Sequence, residues 1–83
     1  MQSFFEARTP NRGASLDTDQ PSTRHIQTLI RRKAAVLLEM DAGRQLEGVI
    51  RWQDLHFLAL DPGGDQQLTL VNRQAVVLLR EQA

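Results

Sequence analysis

Val36-Leu37-Leu38-Glu39-Met40-Asp41-Ala42-Gly43-Arg44-Gln45-Leu46-Glu47-Gly48-Val49-Ile50-Arg51-Trp52-Gln53 reads as a β-hairpin. Val36, Leu38 and Met40 alternate with Leu37 and Glu39, the period of two that side chains adopt along a strand, and Asp41-Ala42-Gly43 has the composition of a tight turn. In the second arm Leu46, Gly48, Ile50 and Trp52 are expected on one face, with Gln45, Glu47, Val49, Arg51 and Gln53 on the other. Glycine at 48, in mid-strand, points to a sharp bend or a close backbone approach, as a small barrel requires where one strand serves both halves.

Downstream of the hairpin, a third strand from His56 to Leu60 ends at Asp61-Pro62-Gly63-Gly64-Asp65, turn composition throughout. Strands four and five are expected at Gln67 to Val71 and Ala75 to Leu79, with only Asn72-Arg73-Gln74 between them. The last strand is apolar on both faces. A domain this small can cover one of them; pairing with a neighbouring subunit would cover the other and satisfy an exposed edge.

Upstream, order is expected to begin at Pro21-Ser22-Thr23, and the period is that of a helix which then runs to about Lys33. A hydroxyl at Ser22 or Thr23 is expected to cap it, and Ile26, Leu29, Ile30 and the methylenes of Lys33 form a narrow apolar stripe. Residues 1 to 20 mix Gly, Ser, Thr, Asn, Gln and Pro and read as a disordered tail in which Phe4 and Phe5 are given no role; residues 81 to 83 read as a short C-terminal tail.

The 83 residues make one domain at most, and a chain of this size buries only about 60% of the surface its unfolded form exposes. There is no Cys to staple it, and His25 and His56 are too isolated to act as metal ligands, so a partner subunit is the remaining source of stability. No apolar run reaches the ~20 residues needed to span a bilayer, and the N-terminus lacks the pattern of a secretory signal, so a cytoplasmic protein without membrane insertion is expected. Net charge is zero but unevenly spread. Arg24, Arg31, Arg32 and Lys33 form a basic segment without acids, whereas the body from residue 34 onward is acidic.

Enzyme chemistry finds no footing. No Ser, His and acid fall into a nucleophile arrangement, no glycine-rich phosphate loop is present, and no cofactor is expected. Asp61 to Asp65 lacks the ligand spacing and closing Glu of a calcium loop and is read as a hairpin turn.

The order of these elements resembles the Sm fold, a mainly β architecture of an N-terminal helix and a strongly bent five-stranded antiparallel barrel that assembles into rings. Ile26 to Arg32, Gly43 to Ile50, Asp54 and Leu70 to Val76 resemble its Hfq version, and the resemblance covers about Pro21 to Arg80. Pro21 to Gln27 together with Arg51-Trp52-Gln53-Asp54 is similar to the divergent cyanobacterial branch. The resemblance implies a homohexamer in which strand four of one subunit pairs with strand five of the next, placing Leu68, Leu70, Val76 and Leu78 at the subunit interface. It also implies three surfaces that contact RNA.

At the proximal face around the pore, the family's Tyr-Lys-His triplet is replaced by Asn72-Arg73-Gln74, and its Gln-Phe pair by Leu55-His56. Arg73 can still hold a phosphate, Gln74 a uracil edge, and the His56 ring can stack on a base; a plain polar turn is the competing reading. At the distal face, the matching residues are Glu39, Arg44, Gln45 and Glu47, whose carboxylates and lack of an aromatic platform disfavour adenine-rich RNA. A solvated acidic face and a docking site for a basic protein segment both account for them. At the rim stand Arg31, Arg32 and Lys33, with Ile30 replacing a family arginine; compensation of the helix dipole explains the same cations. Two functions follow as expectations: an RNA chaperone with weakened sites that favours uridine-rich RNA, or a hub docking a protein such as the extension motor ATPase of type IV pili.

Overall fold

The computed structural model describes residues 16–82; Phe4, Phe5 and most of the expected tail lie outside the described residues. The chain runs through helix α1 (Pro21–Arg32), strands β1 (Ala35–Met40), β2 (Gln45–Gln53), β3 (Phe57–Asp61) and β4 (Thr69–Asn72), a 3-10 turn (Arg73–Ala75) and strand β5 (Val76–Glu81). All pairings are antiparallel in the order β4-β3-β2-β1-β5, so the last strand lies beside the first. Within one chain the bent sheet stays open, because β4 and β5 each have a single neighbour.

The core is Leu29 from the helix with Val36, Leu38, Ile50, Leu58, Leu60 and Val71 from one face of the sheet, and Ile26, Ile30, Leu46, Val76 and Leu79 pack around it. Gly48 is required by a close approach: a Cβ there would collide with the carbonyl group of Asp61 and meet the Pro62 Cα at 3.0 Å. Among the described residues no helix is long and apolar enough to cross a membrane.

Three expectations change. Ser22 and Thr23 do not cap α1, since Pro21 takes the first helical position and Gln20 the cap, with no side-chain hydrogen bond there. Thr23 is instead inside the first turn, buried, and its hydroxyl has no partner among the described residues. Lys33 does not extend the apolar stripe; it adopts the left-handed conformation (φ 54°) and ends the helix. Its N–H donates to Ile30 and that of Ala34 to Leu29, each at 3.1 Å, which is a Schellman closure.

Trp52 leaves the face it was assigned. The register slips between Ile50↔Leu60 and Trp52↔Ala59, so Arg51 is an extra, bulged residue and the alternation inverts after it. Trp52 is thereby exposed, and Gln53 turns to the side of Leu58 and the helix. A second bulge falls in β5, where Leu78 pairs with Glu39 and Val76 with Met40; Val77 between them is unmatched and the most exposed large apolar residue described.

Candidate nucleic-acid interface

The β2–β3 connection is a compact turn built by Asp54. Its Oδ1 accepts from the backbone N–H of His56 (2.9 Å) and of Phe57 (2.7 Å), while the Asp54 N–H donates to the Phe57 carbonyl (3.0 Å). Those two amide donors, Phe57 first, hold the Asp54 carboxyl below the ordinary carboxylate range, and the nearby His56 and Arg73 charges act in the same direction.

Asn72 shapes the second turn. Its Oδ1 accepts from the Gln74 N–H at 2.9 Å, the side-chain cap that starts the 3-10 turn. The two turns then meet, because the Arg73 N–H donates to the His56 carbonyl at 3.0 Å. The structure thus brings together Leu55, His56, Asn72, Arg73 and Gln74, which are separated in sequence. His56, Asn72 and Gln74 are exposed; Leu55 and Arg73 are half-buried.

Arg73 is half-buried because its Nη1 donates to Gln53 Oε1 at 2.8 Å. Gln53 Nε2 in turn donates to Gln27 Oε1 (3.0 Å) and to the Thr23 carbonyl (3.3 Å), both on α1. Sequence reasoning missed Gln53 and Gln27 as members of the cluster. The only signal available was the polar residue beside Asp54, and the bulge that aims it inward leaves no mark in composition.

The helix end separates three cations that sequence grouped as one patch. Arg32 donates both Nη groups to the Glu81 carboxylate, at 3.1 and 2.8 Å, so its fork is committed to β5. Lys33 is the exposed closure residue. Arg31 donates to the Thr28 hydroxyl at 3.3 Å and lines an open groove along the helix with Thr18, Thr23, Arg24, Gln27 and Thr28. Arg24, a helical neighbour of Gln27, belongs to this basic groove although it was not among the expected rim residues.

Glu39, Gln45 and Glu47 share the sheet face opposite the core, since Glu39 pairs with Gln45 and Leu37 with Glu47; Arg44 stands beside them at the head of β2. Strand β5 adds Leu78 and Arg80 to the same face, opposite Glu39 and Leu37. The face is therefore mixed in charge, with a carboxylate and a guanidinium on either side of buried Leu37, rather than purely acidic.

Along the free edges, Leu68 and Leu70 on the β4 side and Leu78 on β5 are 40–50% exposed. Val76 packs partly against the core, and Val77, at 63%, presents more apolar surface.

A protein-family model described as "Hfq related" matches residues 20–81. No curated protein matches the chain. Among solved structures, the crystal structure of an Hfq protein from Anabaena sp. superposes with a TM-score of 0.66 at 29% identity, covering 75% of this chain and 97% of that one. A crystal structure of Hfq described as a pleiotropic translational regulator gives the same TM-score at 17% identity, covering 72% and 97%, and is similar in fold.

Proposed function

The chain belongs to the Hfq-related family, and from that membership we propose that it is one subunit of a cytoplasmic homohexameric ring that holds RNA, uridine-rich in preference to adenine-rich, as a post-transcriptional chaperone. Members of this family bind RNA and are not enzymes. The ring-forming unit is residues 21–80, closed by pairing the free edge of β4 with the free edge of β5 in the next subunit, which would cover Leu68, Leu70, Val77 and Leu78.

The observation that carries the RNA reading is the Arg73 N–H bond to the His56 carbonyl, which gathers a cation, an imidazole and the Gln74 amide into one cluster. A guanidinium for phosphate, a ring for stacking and an amide for a base edge are the groups that single-stranded RNA recognition uses. Around a ring the Arg24–Arg31 groove is repeated, and multivalency raises the affinity of individually weak phosphate contacts.

A second reading, protein docking, is favoured by the Glu39–Glu47 face. Mixed carboxylates and guanidinia around Leu37 and Leu78 offer no stacking platform for bases but complement a charged protein surface. The resemblance to the cyanobacterial branch suggests a type IV pilus motor ATPase as the docked partner.

Light scattering on the purified protein, with a uridine-rich oligonucleotide and its adenine-rich counterpart at physiological salt, separates these readings. A hexamer that takes up the uridine-rich RNA, and loses it when Arg73→Ala is introduced, is the expected result. A stable monomer would sink the ring, and a hexamer indifferent to both RNAs would leave docking as its function.

A further inference from the structure

We propose that Gln53 is the positioning residue for Arg73, fastening its guanidinium to helix α1 so that the basic helix groove and the cluster at the 3-10 turn act as one unit. The inference rests on the reading above in one respect, that Arg73 is the group that meets RNA.

A carboxamide has one acceptor oxygen and two N–H donors, and Gln53 uses all of them on three different residues. Oε1 accepts from Arg73 Nη1 at 2.8 Å, while Nε2 donates to Gln27 Oε1 at 3.0 Å and to the Thr23 carbonyl at 3.3 Å. The amide is partly buried, where such bonds compete less with water. Arg73 is held a second time, through its backbone N–H to the His56 carbonyl at 3.0 Å. A long side chain that ordinarily surrenders its rotamer freedom on binding is therefore restrained in advance, with one Nη committed and the rest of the fork left over.

The relay also has a direction. Gln27 stands three residues after Arg24 and four before Arg31, on the helix face that lines the basic groove. A phosphate drawn into that groove is one hydrogen-bonded side chain from Gln53 and two from Arg73. The Arg51 bulge makes this possible, because without it Gln53 would point away from the helix.

The test uses the full chain in its assembled state and follows solvent exchange of the Arg73 Nη–H protons by NMR, alongside affinity for a uridine-rich oligonucleotide. Gln53→Leu keeps the volume and removes all three bonds. It should speed Arg73 exchange and weaken RNA binding by about tenfold each, as expected for loss of a hydrogen bond to a charged group. Its effect on RNA should vanish in an Arg73→Ala background. Gln53→Glu, which retains an acceptor for Arg73, should keep exchange slow. Should Gln53→Leu fail to fold, Gln27→Ala, which loosens the anchor from the helix side, should give a smaller acceleration.

Unchanged exchange in Gln53→Leu, or losses of Gln53→Leu and Arg73→Ala that simply add, would overturn the proposal. If Arg73→Ala leaves RNA affinity untouched, the RNA reading of the cluster falls instead, and the tether is decided by the exchange rate.

Discussion

The two segments of strand β2 on either side of its bulge have different tasks. From Gln45 to Ile50 every second residue faces the core, and Gly48 lets the strand pass under the Asp61 carbonyl. After the Arg51 bulge the parity reverses, Trp52 is turned out, and Gln53 is turned in beneath α1 to hold Arg73. One unpaired residue thus converts a wall of the core into a bracket for the Arg73 side chain. The first half is specified by volume and the second by hydrogen bonds, so substitutions in them should fail in different ways.

The largest effect should come from Ile50→Ala, which empties a fully buried site and is expected to cost about 2–5 kcal/mol of unfolding free energy, measured by denaturant titration at fixed protein concentration. Gly48→Ala should follow at about 1–3 kcal/mol, because the Asp61–Pro62 backbone must move to admit a methyl group. Beyond the bulge, Trp52→Ala should cost no more than about 1 kcal/mol despite removing the largest side chain in the strand. A cost equal to that of Ile50→Ala would break the comparison by showing that Trp52 belongs to the core after all.

The smallest effect should be visible only through pH. Asp54 has a folded-state pKa below its ordinary value of 3.8, so its charge contributes stability above that value and the contribution is lost as pH falls through the lower folded pKa. Asp54→Asn keeps an acceptor oxygen but no charge. Its deficit relative to the parent chain should therefore be present at neutral pH and disappear in acid, and a deficit that is constant with pH would assign the turn to geometry alone.

Much of this molecule was legible from local pattern. The hairpin, the turn at Asp61–Asp65 and the apolar β5 are written in period and composition, whereas Leu55-His56 and Asn72-Arg73-Gln74 could be grouped only through the family resemblance. What escaped depends on partners distant in sequence. A bulge is a mismatch between two strands, so the inversion at Arg51 exists only once β3 is in register. Arg32 looked like Arg31 until β5 delivered Glu81, 49 residues later, to its guanidinium. The cap at Thr23 failed for a local reason: Pro21 suits the first helical turn and so moved the helix start ahead of both hydroxyls.

The strand order also bears on synthesis. Because β5 pairs with β1, the hairpin and strands β3 and β4 can assemble as the chain leaves the ribosome, while the outer edge of β1 waits for Val76 to Glu81. Until then Val36, Leu37 and Leu38 lie along an open strand edge, the kind that recruits other chains. A chain that stops ahead of Val76 would therefore leave that edge unpaired and be prone to recruit other chains through it.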